Sequence, residues 1–479
     1  MSRGTDYDFI VIGAGAAGLS AAAGAAQLGA RVALIESDRM GGECLNTGCV
    51  PSKALLHAAR LADDVRNASL SAGLAATLAQ PELASVLARV RGVIVAIAPH
   101  DSVERMRGLS VEVIAARARF VDPHTVEADG RRLTARRFLI ATGSRPAIPP
   151  VPGLNGLPML TNETIFELNE AVPSLLVLGG GPIGTELAQA FRRLDSRVTL
   201  VEMAPDILPR SDAEAAAVVR AALVHDGVEI LTGVRVEKAG GTAGALWLDW
   251  RREDGTGGRI EGSHLLVAAG RRTDFADMNL DAAGVKMEKG RLVLDSRLRT
   301  SQKHIYAAGD AAGAGFTHLA EYQARVVLQN AVFHLPVRCK NPLVPAVTYT
   351  DPELAEVGLS ERAARERGLR HQVWRAGFAD VDRAVIEDAT EGFVKLVSSP
   401  RGRLLGATIV GAAAGELIHE AALAIAAKRK LSSLSGLIHA YPTRAQALRF
   451  AADQRLKAAL TPKRKRLMQI LFRLRGERT

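Results

Sequence analysis

The stretch Tyr7-Asp8-Phe9-Ile10-Val11-Ile12-Gly13-Ala14-Gly15-Ala16-Ala17-Gly18 decides the reading of this 479-residue chain. Residues 7–12 form a short β-rich run. A glycine turn follows, then an alanine-rich helix to Leu28, then a second strand over 31–35. This order predicts a βαβ unit. Its three glycines do different work: Gly13 makes the tight turn, Gly15 lets backbone approach a pyrophosphate, and Gly18 lets helix pack on strand. The positive end of the helix then faces the phosphates. Glu36, 21 residues after Gly15, ends the second strand where a carboxylate can accept hydrogen bonds from a ribose diol.

The same grammar recurs about 165 residues later. A strand over 174–178 leads into Gly179-Gly180-Gly181-Pro182-Ile183-Gly184, a helix to Arg193 and a strand over 197–201. Gly179, Gly181 and Gly184 repeat the three roles, Ile183 lies in the same turn, and Glu202 stands 21 residues after Gly181. A carboxylate there accepts from a 2′-hydroxyl and repels a 2′-phosphate, so NADH is expected over NADPH. Two such units predict two nucleotide-binding domains.

Between the two units lies Cys44-Leu45-Asn46-Thr47-Gly48-Cys49, then Val50-Pro51-Ser52-Lys53 and a helical stretch. Gly41-Gly42 before it frees the backbone to pass close to a ligand. The spacing is expected to bring both sulfurs to one face at the start of a helix, whose positive end favours thiolate. No other Cys or His cluster completes a metal-ligand set, so no metal site is expected and a redox dithiol is the preferred reading.

Composition narrows the rest. A chain this long predicts two to four domains. Apolar content of 48% with 4% aromatics suits helices packed closely on parallel sheets. Residues 1–9 show no leader-like pattern, and no apolar run is expected to approach the roughly 20 residues of a membrane helix. Three cysteines fit a reducing cytoplasm. The net charge is +10. Residues 463–478 hold seven Lys or Arg and one Glu, leaving about +4 elsewhere. That tail is expected to be solvated and poorly ordered; Leu467, Met468, Leu471 and Leu474 on one side of a short helix would offer weak membrane-surface contact. No nucleic-acid partner is expected. A helical segment should stop near Pro99 and restart at a capping box, Asp101-Ser102-Val103-Glu104. Residues 147–158, with four prolines and two glycines, are the best linker candidate, and a second boundary falls at Asn341-Pro342-Leu343-Val344-Pro345. Alternating runs beyond it predict an antiparallel sheet with flanking helices.

The run Gly41-Gly42-Glu43-Cys44-Leu45-Asn46-Thr47-Gly48-Cys49-Val50-Pro51-Ser52-Lys53 closely resembles the active-site signature of class I pyridine nucleotide-disulfide oxidoreductases, among them dihydrolipoamide dehydrogenase, glutathione reductase and mercuric reductase. The resemblance runs to about Lys457. Ala141-Thr142-Gly143-Ser144-Arg145-Pro146 and Ala269-Gly270-Arg271 look like the family's two crossovers between domains. Ile305-Tyr306-Ala307-Ala308-Gly309-Asp310 looks like the second FAD motif. The resemblance implies an α/β protein with two Rossmann-like domains, for FAD (1–150 and 266–340) and NAD(P) (151–265), and an α+β dimer-interface domain (341–460) before the basic tail (461–479). It implies a cytoplasmic homodimer in which nicotinamide delivers hydride to the flavin. Cys49 would be the charge-transfer thiol and Cys44 the interchange thiol. Lys53 and Glu186 would be an ion pair beside the flavin. Gly42, Thr142, Gly143, Ser144, Gly270, Gly309, Asp310 and the Ala118 backbone would contact FAD.

One departure bears on the substrate. The family's dithiol–disulfide members end on His-Pro-Thr followed by a Glu. Here the run is Ile438-His439-Ala440-Tyr441-Pro442-Thr443-Arg444-Ala445-Gln446. Tyr441 stands at the His position and Gln446 at the Glu position. A phenol is a poor base at neutral pH. His439 is expected to be a packed side chain, with a substitute base as the alternative. The acceptor is therefore expected to be a disulfide, a thiol-bound metal ion or a small electrophile. A dihydrolipoyl dehydrogenase-type reaction and a diaphorase-like electron transfer to quinone are the alternatives.

Overall fold

The computed structural model describes residues 5–71, 73, 82–340 and 342–475. Asn341 of the second expected boundary and residues 476–479 of the tail lie outside them. The chain divides into two units. Unit one takes the described residues within Met1–Ala62, Leu78–Val201 and Val234–Pro342. Unit two takes those within Asp63–Thr77, Glu202–Gly233 and Leu343–Thr479.

Unit one opens with β1 (Tyr7–Ile12), α1 (Ala16–Gln27) and β2 (Val32–Glu36). The cysteines follow on α2 (Gly42–Asn46) and α3 (Cys49–Ser71), before α4 (Leu83–Ile97), β3 (Val111–Ala115) and β4 (Arg131–Ile140). The second nucleotide unit is β5 (Ser174–Leu178), α5 (Pro182–Arg193) and β6 (Arg197–Glu202). β7 (His264–Val267) joins its sheet, and β8 (Ile305–Ala307) and α6 (Thr317–Ala331) return to the first nucleotide unit.

The parallel part of the seven-stranded first sheet runs β3-β2-β1-β4-β8, and two short strands, Arg119–Asp122 and Thr125–Ala128, extend it antiparallel from β4. Its strands are apolar at consecutive positions because both faces are covered. Phe9, Val11, Val32, Leu34, Leu139 and Tyr306 join the core shared with α1 and α6. Their neighbours Ile10, Ile12, Ala33, Ile35, Phe138, Ile140, Ile305 and Ala307 join the core on the other face. A period of two divides the same strands between two cores. α1 comes close to α6 because its residues are small: a Cβ on Gly24 would lie 2.6 Å from Leu328. The second parallel sheet places β5 between β6 and β7.

Three sequence expectations change here. The helix after Pro99 is capped by Ser102, whose hydroxyl accepts from Arg105 N; Glu104 does not sit at the reciprocal position. The 26-residue stretch Leu83–Gly108 is long and apolar enough to cross a membrane, against the expectation that no run would be. It is not one uninterrupted helix: a 3-10 turn at Ala98–Asp101 and the cap at Ser102 break it, and Arg91 Nη1 donates to Phe166 O. The tail is not irregular where described: residues Pro462–Leu471 are helical, with Thr461 as N-cap.

Unit two is built on a five-stranded antiparallel sheet. Its strands are β9 (Ala346–Thr348), β10 (Glu353–Gly358), β11 (Gln372–Gly377), β12 (Phe393–Ser398) and β13 (Leu404–Gly411), in the order β9-β10-β13-β12-β11. α7 (Ala414–Ala426) and α8 (Gln446–Ala459) cover it through Ile418, Ala421, Ala447, Leu448 and Ala451. The segment 202–233 is tied to this sheet by charge. Lys395, buried on β12, donates to both oxygens of Asp212 at 2.9 Å and to Glu214 at 2.8 Å. Asp212 also caps the helix Ala213–His225. A buried ammonium is tolerated because its protons are satisfied by carboxylates. Val385, Ile386, Leu423 and Ile438 are large apolar side chains left exposed on this unit.

Candidate active site

Both glycine loops have the geometry that their sequences predict. Gly13 and Gly179 hold φ of +103° and +115°, and a Cβ on either would meet a strand carbonyl at 2.3 or 2.5 Å. By contrast, a Cβ at Gly15 or Gly181 would meet nothing within 4 Å. Neither α1 nor α5 has a side-chain cap, so their first-turn N–H groups are left for a ligand. An open approach over uncapped helix N-termini fits a dinucleotide at each loop. Gly18 and Gly184 pack directly on the carbonyls of Gly13 and Gly179. Ile183 is half-buried one residue before Gly184. Glu36 sits beside the first loop, where it accepts from Ala14 N at 2.6 Å. Glu202 ends β6 and accepts from Ala204 N at 2.7 Å.

The dithiol turn lies on the first loop. Gly41 N donates to Ala14 O, and Gly42 (φ +57°) comes so close that a Cβ would lie 2.7 Å from Gly15 Cα. The two cysteines do not share one helix, as the spacing had suggested. Cys44 sits in the single turn of α2 and Cys49 begins α3, with Thr47-Gly48 between them. Both thiols are unbridged. They meet at the N-terminus of α6: Thr317 Oγ1 donates to Cys44 Sγ at 3.2 Å and lies 3.5 Å from Cys49 Sγ. Cys49 is held below the usual thiol range, at about 6, by the Cys44 thiol that donates to it, with further help from the Thr317 hydroxyl and the Lys53 charge. Cys44 is pushed up by its bond to Cys49 and by burial. The pair is therefore unequal, with thiolate at Cys49 and thiol at Cys44.

Lys53 Nζ lies 2.9 Å from Glu186 Oε2, so α3 of the first nucleotide unit is bonded to α5 of the second. Glu43, beside Cys44, is bonded to Arg271 and accepts from Asn162 Nδ2 at 2.9 Å. Burial pushes its carboxyl up to about 7, against the pull of Arg271. Arg271 also donates to Ser144 Oγ at 2.9 Å and Ser144 O at 2.8 Å, and Ser144 is bonded to Asp310. Gly309 N donates to Gln323 on α6 at 2.9 Å. Arg271, Ser144 and Asp310 thus belong to one network that ends on the dithiol turn at Glu43, with Gly270 and Gly309 next to Arg271 and Asp310 in the chain. Thr142 and Gly143 (φ +71°) precede Ser144 in it. Ala118 is buried in the core on one face of the sheet.

Sequence reasoning did not single out Thr317, Asn162, Gln323 or the Glu43–Arg271 pair. No local signal marks Thr317, which is 273 residues from Cys44. Arg271 was visible only as part of a crossover. Unit two holds the two residues of uncertain role. His439 is almost fully buried, with Nε2 3.2 Å from Glu420 and Nδ1 3.2 Å from Leu437 O. Tyr441 is 70% exposed and donates to Asp382 at 2.9 Å, which raises its phenol above the ordinary value. Gln446 is buried near Thr443 N.

Two dinucleotide loops and an unequal dithiol on one of them define a nucleotide-linked thiol oxidoreductase. The chain belongs to the pyridine nucleotide-disulphide oxidoreductases: that family's model matches residues 7–331, and its dimerisation domain matches 344–452. It is 38% identical over 467 residues to a dihydrolipoyl dehydrogenase of Thermus scotoductus, which covers 95% of this chain and 98% of that protein. It is 33% identical over 456 residues to a mercuric reductase of Staphylococcus aureus, which covers 94% and 83%. Among solved structures it resembles the HOCl-induced flavoprotein disulfide reductase RclA of Escherichia coli, with TM-score 0.83 and 28% identity over 93% of this chain and 99% of that one. The protein is accordingly a flavin-dependent disulfide oxidoreductase that binds FAD and carries a dimerisation domain for a homodimer.

Proposed function

We propose that this enzyme uses NADH to reduce the Cys44–Cys49 disulfide and passes the two electrons to a disulfide, a thiol-bound metal ion or a small electrophile. The carrying observation is the unequal thiol pair under Thr317. Gly13, Gly15, Gly18, Glu36, Gly42 and Asp310 would hold FAD, which when bound would supply a two-electron relay between nicotinamide and sulfur. Lys53 places a positive charge near Cys49 and favours its thiolate, and Glu186 orients the lysine. Cys44 attacks an acceptor disulfide. The Cys44 proton passes to the first leaving thiolate, the Cys49 thiolate attacks Cys44 Sγ and expels the second thiolate, which takes a proton from water, and the Cys44–Cys49 disulfide is restored.

Two side chains support an acceptor that needs little proton transfer. Tyr441 stands at the position of the family's histidine, and its hydroxyl donates a hydrogen bond to Asp382. His439 is already engaged by Glu420. The preference for NADH rests on Glu202. The dihydrolipoyl dehydrogenase-type reaction remains the second reading because of the 38% identity over nearly the full length of that relative.

A turnover panel tests this: NADH and NADPH, each against Hg(II), glutathione disulfide, lipoamide and a quinone. Thiol-dependent turnover with NADH that is insensitive to His439→Ala is expected. Fast lipoamide turnover that collapses in His439→Ala would overturn the acceptor class.

A further inference from the structure

The helix Pro462–Leu471 lies outside the residues matched to the dimerisation domain, which end at 452. It is here α9. Every described residue of it is exposed or nearly so. At 100° per residue, Leu467, Ile470 and Leu471 fall on one stripe, and Leu474 continues it just past the helix end. Ile470 is 68% exposed and Leu471 65%. A soluble helix that leaves its apolar stripe in water loses the stabilisation that burial would give. Charge surrounds the stripe. Lys463, Arg464, Lys465 and Arg466 fill the first turns, Arg473 and Arg475 follow, and no acidic residue occurs from 454 to 476.

Three occupants can be compared. A second copy of the same helix would set like charges against each other, and a two-fold interface needs a self-complementary surface. Nucleic acid would meet the cations but leave Leu467, Ile470 and Leu471 in water. An anionic phospholipid bilayer takes both: headgroups meet the six cations and the acyl boundary takes the leucines. We propose that α9 docks the homodimer reversibly on anionic membrane. This inference does not depend on the electron acceptor.

The test is flotation of the FAD-loaded dimer with vesicles of phosphatidylglycerol and phosphatidylcholine, against pure phosphatidylcholine vesicles. The expected result is binding to the anionic vesicles alone. It should fall at least about tenfold in Leu467→Glu/Leu471→Glu and also in Lys463→Glu/Arg466→Glu. NADH oxidation in solution should stay unchanged in both variants, which shows that they fold. Equal flotation of the wild-type and both variants overturns the proposal. So does a dimer that falls apart when 462–479 are removed, which would assign the stripe to the subunit contact. Binding to duplex DNA that survives Leu467→Glu/Leu471→Glu, with no flotation, also overturns it.

Discussion

The two glycine loops differ little as backbone and greatly as chemistry. Gly13 and Gly179 have nearly the same φ, the Cβ positions at Gly18 and Gly184 are blocked by a carbonyl at 1.8 and 1.9 Å, and Gly15 and Gly181 are equally open. The first loop carries another segment, the turn at Gly41-Gly42 that delivers Cys44 and Cys49. A nucleotide loop is thus a local invention that a chain can repeat. A redox site requires a second piece of backbone to land on that loop within van der Waals contact.

The comparison can be broken most severely at the sulfur. In Cys49→Ser, thiol-dependent turnover should fall by about a thousandfold or more. The long-wavelength thiolate–flavin absorption seen on anaerobic reduction with NADH should vanish. In the wild type the Cys49 value is lowered, so that band should be present at neutral pH and fade as pH falls through about 6. A band that persists in Cys49→Ser would falsify the assignment of the thiolate.

Next in size is the contact that separates the loops. Gly42→Ala forces a side chain into left-handed backbone and onto Gly15 Cα. A loss of about 3 kcal/mol in urea unfolding, with weakened FAD retention, is expected. Gly130→Ala shares the left-handed φ but has open space, and should lose only about 1 kcal/mol. Equal losses would mean that backbone strain alone, not close approach, makes Gly42 necessary.

The second loop is probed at the carboxylate ending its strand. Glu202→Gln removes the charge that opposes a 2′-phosphate, so the ratio of kcat/KM for NADH over NADPH should drop about tenfold. An unchanged ratio would locate nicotinamide selection elsewhere. The smallest effect belongs to the hydroxyl. Thr317→Val should move the midpoint of the band's pH titration upward by about one unit, and Thr317→Ser should restore it. If valine leaves the midpoint in place, the Thr317 contact is packing only.

Local signals carried far in this molecule. The strand–glycine–helix grammar placed both parallel βαβ units within a residue or two. The alternating runs after 345 gave the antiparallel sheet. Where reading failed, the interaction was long-range or the local options were close in energy. Nothing near Asp101 indicates that Ser102 would be the cap. The thiol spacing suits one helix, yet a two-residue turn splits it into α2 and α3.

By itself the sequence determined that two strand–glycine–helix units recur and that a dithiol follows the first of them. These depend on residue types at fixed short spacings, and turn geometry and helix ends are local physics. Only the tertiary structure showed how the two thiols are made unequal, because beside their bond to each other they depend on burial and on groups fixed by distant segments. Thr317 comes from the start of α6, and the Lys53–Glu186 pair joins residues 133 apart. The charge on Glu43 is set by burial beside an arginine 228 residues away. Electrostatic tuning follows distance and solvent exclusion, which close only when the chain has folded.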